Sequence, residues 1–209
     1  MSKSFIATPM SDLRGYLTEA EVKKLYDAAE SLRDKLLVRL FFVTGARVSE
    51  VVGDVSWKNK RKVFHGLRVK DVDWKNGVLY LDTLKRKHYP PPKRIVPIDS
   101  ITLGLLRQFC ELNVLENEDK VFNLTRQRAT QILKELGAKA GIEKVGQKKL
   151  HVHHLRHSHC IAYVKRNNSL EGLRKLQRKL GHANIETTAH YLQYAPEERR
   201  EVEEIFANW

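Results

Sequence analysis

Two arginines, two histidines and one tyrosine stand in a fixed order along the chain and could together act on a phosphodiester. Arg47 ends Thr44-Gly45-Ala46-Arg47, His153 and Arg156 belong to His153-His154-Leu155-Arg156-His157, and His182 closes Leu180-Gly181-His182. Tyr191 follows His182 by nine positions. Phosphoryl transfer spreads charge over the non-bridging oxygens. A guanidinium suits that charge because it is a planar fork of donors that stays ionised. Arg47 and Arg156 are the candidates for this role. Tyr191 is the candidate nucleophile, but a free phenol has a pKa of about 10 and needs help near neutral pH. Nearby cations lower that value, and a histidine can take the proton. His153 is the candidate for this acid/base work, and His182 for a hydrogen bond to a phosphate oxygen. Such parts suit the breaking and rejoining of DNA strands without a metal.

The composition agrees with a polyanionic partner. The 209 residues include 38 Lys and Arg against 25 Asp and Glu, a net charge of +13. A surplus of that size favours nucleic acid. Two cysteines, Cys110 and Cys160, do not make a secreted disulfide scaffold. No signal core follows Met1, and the apolar stretch Leu36 to Val43 is broken by Arg39. A cytoplasmic, nucleoid-associated protein is expected.

The elements that must position these residues are mostly helical. Thr18 and Glu21 form a capping box, with Leu17 and Val22 as a staple. A second helix carries Leu36, Leu37, Leu40, Phe41 and Val43 and stops at Gly45, and another runs from about Arg47 to Val52. Lys75-Asn76-Gly77 is a turn ahead of a strand at Val78 to Leu81. A second strand spans Arg94 to Ile98, and the three prolines at 90–92 stiffen a basic connection between them. Helical spacing returns at Ile101 to Phe109, at Ala129 to Leu136 with an end near Gly137, and at Leu170 to Leu180 with a stop at Gly181. The expected fold is mainly α with a small antiparallel β-sheet (α+β). Residues 1–16 read as a lead-in, 17–195 as one domain, and 196–209 as an amphipathic tail.

Thr44-Gly45-Ala46-Arg47-Val48-Ser49-Glu50, His153-His154-Leu155-Arg156-His157-Ser158, and Leu180-Gly181-His182 with Thr187-Thr188 and Tyr191 resemble the three boxes of the tyrosine recombinases, the family of phage integrases and Xer-type proteins. The resemblance covers roughly residues 18 to 195. It implies the family's catalytic-domain fold and a 3′-phosphotyrosyl intermediate on double-stranded DNA, with no cofactor. It also implies a lysine on a β-hairpin that protonates the 5′ leaving oxygen. Lys85, at the end of the first strand, is the choice and Lys87 the runner-up. Family members usually carry an N-terminal helical clamp domain, which residues 1–16 cannot form. A monomer in solution and four protomers on two duplexes are the implied states.

His153 and His157 fall at i and i+4, as zinc ligands can, but His154 stands where a zinc peptidase needs Glu. No metal is expected. Gly141 to Lys148 lacks the Gly-Lys-Ser/Thr of a phosphate-binding loop. His151, His154 and His159 read as surface or packing residues, and Tyr194 as a minor rival to Tyr191. The run Lys58 to Lys62 reads as a solvated loop, and the Gly53 to Gly66 segment as an insertion. Two other functions use the same parts: a DNA-binding accessory protein without complete recombination activity, and a type IB topoisomerase.

Overall fold

The computed structural model describes residues 15–55, 63–83, 92–167 and 169–194. Lys85, Lys87, the run Lys58 to Lys62 and the tail after Tyr194 lie outside the described residues.

Helix α1 (Glu19–Asp27) begins as its sequence dictates. The Thr18 hydroxyl accepts from Glu21 N–H at 3.2 Å, and the Glu21 carboxylate accepts from Thr18 N–H at 2.7 Å. Leu17 and Val22, on either side of this cap, are both buried. Helix α2 (Leu32–Thr44) is the centre of the molecule. Leu36, Leu37, Val38, Leu40 and Phe41 are buried along it, and it packs against α1, α4 (Ser100–Leu112) and α6 (Val152–Arg166). A helix buried on so many sides is hydrophobic nearly all round, which is why its apolar run is almost continuous. It ends at Gly45 in the left-handed region, φ +59. Short α3 (Val48–Val52) follows with Arg47 as its N-cap residue.

Strands β1 (Asp54–Val55) and β2 (Val63–Phe64) pair antiparallel at the base of the Gly53 to Gly66 insertion. The main sheet has the order β3-β4-β5, all antiparallel, from β3 (Val72–Asp73), β4 (Val78–Asp82) and β5 (Lys93–Pro97). Leu79 and Leu81 on β4, and Arg94 and Val96 on β5, point inward. The strand expected at Arg94 to Ile98 is thus found one residue earlier. Thr83 N–H donates to Pro92 C=O at 2.8 Å, which closes the base of the β4–β5 connection.

Helix α5 (Arg126–Lys139) corrects one expectation. It does not end at Gly137 but runs two residues further. Gly137 is needed for close packing instead, because a Cβ there would sit 2.6 Å from both Ile142 C=O and Leu150 Cδ2. The 141–148 segment forms a ribbon, β6 (Lys144–Val145) against β7 (Lys148–Lys149), with no helix N-terminus to receive a phosphate.

Helices α6 and α7 (Leu170–Leu180), a single turn α8 (Glu186–Ala189) and a 3₁₀ segment His190–Tyr194 complete the described fold. Cys160, Ile161, Val164, Leu176, Leu180 and Tyr191 form a small cluster separate from the main core. No helix among the described residues is long and apolar enough to cross a membrane.

Candidate active site

The C-terminal ends of α2 and α7 meet the middle of α6, and Arg156 lies at the junction. Its Nη1 donates to Gly45 C=O at the end of α2, and its Nη2 donates to Leu180 C=O at 3.1 Å at the end of α7. A cation at two helix C-termini is favoured by both macrodipoles and by their otherwise orphaned carbonyls. Arg156 is 6 % exposed. Burial, with the Arg47 charge nearby, lowers its pKa to about 10, so it stays cationic at neutral pH.

Gly45 is required for this arrangement. Its positive φ is costly for any side chain, and a Cβ would lie 2.7 Å from His159 Cδ2 and 2.9 Å from Leu180 Cδ2. His159 is therefore a buried packing residue, as expected, and burial holds its imidazole down at about 3.

Arg47 is fixed from the other side by Glu50. The Glu50 carboxylate accepts Arg47 N–H at 2.7 Å and Arg47 Nη1 at 3.0 Å. It also accepts Arg94 Nη2 at 2.7 Å. Arg94 spends its other donors on Asp82 C=O at 2.9 Å and Lys179 C=O at 2.8 Å. One buried guanidinium thus ties the end of β4, the end of α7 and the Arg47 partner together. Burial alone would push the Glu50 carboxyl up, but Arg94 and Arg47 outweigh it and the net shift is downward. Neither Glu50 nor Arg94 was identified as a site residue from sequence. An arginine on the apolar side of an alternating strand, and the Arg47–Glu50 spacing of three, were the available signals.

His182 follows the α7 cap Gly181. Its Nε2 lies 2.9 Å from Arg156 Nη2 and its Nδ1 2.9 Å from Thr188 Oγ1. Guanidinium only donates, so Nε2 accepts and the ring proton sits on Nδ1, facing the Thr188 oxygen. Burial and the Arg156 and Arg47 charges hold His182 at about 4, which keeps it neutral. Both ring nitrogens are engaged within the protein, so His182 orients Arg156 in this state.

Tyr191 is 8 % exposed and rests on α6. Its hydroxyl is 3.0 Å from His157 Nδ1, the residue next to Arg156. Burial, and then the neighbouring Cys160 thiol, raise the phenol above its ordinary value. His153 lies one turn before His157 on α6, and its imidazole is lowered by burial and by the neighbouring His151, Arg156 and His157. His151 caps α6: its Nδ1 accepts His153 N–H at 3.0 Å, while His154 Nδ1 accepts His151 N–H at 3.1 Å. Tyr194 is more exposed and meets Tyr16 edge-on with ring centroids 5.5 Å apart.

The structure brings Arg156, His182, His153 and Tyr191 together at α6, with Arg47 close enough to act on Arg156 and His182. Lys85 lies outside the described residues, but the strand that leads to it does not. Thr83 packs on Gly181, where a Cβ would be 2.8 Å from Thr83 Cγ2. No group of three or more His, Cys, Asp or Glu among the described residues is arranged to hold a metal ion.

Known proteins resemble this chain in sequence and in fold. The chain is 31 % identical over 175 residues to tyrosine recombinase XerA of Saccharolobus solfataricus, covering 84 % of this chain and 50 % of that one. It is 28 % identical to tyrosine recombinase XerA of Pyrococcus horikoshii, over 88 % of this chain and 59 % of that one. The chain spans about half the length of these curated relatives. A crystal structure of XerA recombinase superposes with a TM-score of 0.69 at 25 % identity, covering 95 % of this chain and 66 % of that chain. The catalytic domain of bacteriophage HP1 integrase shares the fold, with a TM-score of 0.60 at 21 % identity over 91 % of this chain and 94 % of that one. The description "Phage integrase family" matches residues 15–198. With all of the described structure inside that match, the chain belongs to the phage integrase family.

Proposed function

We propose that this chain cleaves and rejoins double-stranded DNA by attack of Tyr191 on a phosphodiester, as a site-specific recombinase. The observation that carries the reading is the placement of a buried phenol against the residue next to Arg156. The nucleophile of the 3₁₀ segment and the phosphate-binding guanidinium therefore meet at one turn of α6, the turn that carries Arg156 and His157. Relatives named tyrosine recombinases support it, as does a XerH recombinase of the same fold seen bound to its difH DNA (TM-score 0.71).

In this mechanism Arg47, Arg156, His153 and His182 bind the scissile phosphate and stabilise the charge that develops on it. The phenol oxygen attacks phosphorus, the 5′ oxygen leaves, and the 3′ phosphate is held as a tyrosyl ester. That ester keeps the bond energy, so rejoining needs no nucleotide. Lys85 protonates the leaving oxygen. Lys85 stands two residues after Thr83, whose side chain packs on Gly181 next to His182. Self-association on DNA into a four-protomer synapse belongs to the same proposal, as does residence with the nucleoid.

The test is a covalent trap on nicked DNA carrying candidate sites from the source genome. Wild type should leave protein attached to DNA after denaturation, and Tyr191→Phe should not, with nearly unchanged DNA affinity. Arg47→Ala and Arg156→Ala should each slow attachment about 10²- to 10³-fold, as lost transition-state donors do. An equal adduct from Tyr191→Phe would remove the nucleophile, and a near-normal rate in either arginine variant would remove that residue from the site.

A further inference from the structure

We infer that His157 is the general base that takes the phenolic proton of Tyr191. The inference rests on the reading of Tyr191 as nucleophile and deepens it. The His157 Nδ1 is 3.0 Å from Tyr191 Oη, within the reach a general base requires. His157 and Tyr191 are 34 residues apart, and the contact exists because α6 and the 3₁₀ segment after α8 pack together.

The charges around His157 suit a base. Burial, and then the charges of Arg156 on α6, His151 at its cap, Lys148 on β7 and His190 beside the tyrosine, lower its pKa. A neutral ring with an unprotonated Nδ1 accepts the phenol hydrogen bond and carries its own proton on Nε2. The ring also lines a cavity of about 260 Å³ with His151, His153, His154 and Lys148, which gives the proton a way out to water. Burial raises the phenol, so the proton will not leave unaided.

The step balances without any outside reagent. The Oη–H bond breaks and its proton passes to the His157 Nδ1 lone pair. The oxygen electron pair forms the Oη–P bond. The P–O5′ bond breaks with its pair on oxygen, which takes a proton from the acid assigned to Lys85. Rejoining runs the transfers in reverse.

Two experiments test the assignment. In the first, adduct formation by His157→Gln is compared with wild type on ordinary DNA and on DNA with sulfur in place of the bridging 5′ oxygen. A thiolate leaves without protonation, so the sulfur substrate rescues loss of an acid but not loss of a base. His157→Gln should be about 100-fold or more slower on both substrates at unchanged DNA affinity, whereas Lys85→Ala should recover on the sulfur substrate. The acid limb of the wild-type pH profile should vanish in His157→Gln, replaced by a rate that keeps rising with pH. Near-normal rates, faster cleavage, full rescue by sulfur or an unchanged pH profile would each overturn the role.

The second experiment needs no DNA. NMR titration of the His157 ring should show its pKa rising in Tyr191→Phe, because the phenol donor that stabilises the neutral ring is gone. An unmoved titration would refute the hydrogen bond. Absence of any wild-type adduct, with the titration shift intact, would instead fault the strand-cleavage reading.

Discussion

Glu50→Gln removes a single charge from the centre of the site and keeps the side-chain volume. The carboxylate is 1 % exposed and serves Arg47 N–H, Arg47 Nη1 and Arg94 Nη2. A glutamine has one acceptor oxygen, and its amide would face a guanidinium donor with a donor. Breaking a buried ion pair by removing one partner costs about 3–5 kcal/mol, a large part of the roughly 5–15 kcal/mol that holds a domain together. With a urea slope of about 2–3 kcal/mol/M, the unfolding midpoint should fall by about 1–2 M in a circular-dichroism titration at pH 7. Glu50→Gln combined with Arg94→Met replaces the pair by neutral groups, and should cost clearly less than the two single changes added together. The acid dependence has a definite sign. The folded carboxyl is held below its ordinary value, so its stabilisation is fully present above the unfolded carboxylate pKa of about 4.3 and is lost as pH falls through the lower folded one. The gap between wild type and Glu50→Gln should therefore close in acid. A loss below about 0.5 kcal/mol at pH 7, or a gap that is the same at pH 3, would show that the carboxylate does not hold the two arginines as described.

Three further outcomes follow from the same geometry. Gly45→Ala forces a side chain into a left-handed conformation against His159 and should cost at least about 1–2 kcal/mol in urea unfolding; unchanged stability would mean that α2 ends differently. His154 is neutral when folded, held at about 4 by burial and by the neighbouring His151 charge, so the unfolded chain binds a proton more readily between about pH 6.5 and 4. Stability should fall across that window on acidification, and thermal melts of His154→Gln should show a shallower fall. Thr188→Val removes the Oγ1 partner of His182 Nδ1; adduct formation should slow about tenfold, near the worth of one hydrogen bond, at constant DNA affinity, and an unchanged rate would free His182 from that tether.

What could be read from sequence was local. The Thr18–Glu21 box, the glycine stops at 45 and 181, the Asn76-Gly77 turn and the strands β4 and β5 each depend on residues within a few positions of one another, and each is found, β5 one residue early. Gly137 misled because a helix-stop glycine and a close-packing glycine look alike until the neighbour is known, here Leu150 and the Ile142 carbonyl. The two-residue strands β3, β6 and β7 are too short to show a period. The order of Arg47, His153, Arg156, His182 and Tyr191 was legible, but their supports were not. Glu50 meets Arg94 across 44 residues and Arg156 meets Gly45 across 111, pairings that only the packed α2, α6, α7 and β5 create. The tyrosine contact with His157 is of the same kind, so the sequence pointed to His153 for proton transfer and left His157 as half of a rejected metal pair.

Peptide mapping of the covalent adduct tests the central claim most directly. After trapping on nicked DNA, nuclease digestion and proteolysis, mass spectrometry should find a nucleotide phosphate on Tyr191, attached through the 3′ end of the cleaved strand. A modified Tyr194, a 5′ linkage, or no modified peptide on DNA that the protein demonstrably binds would contradict it.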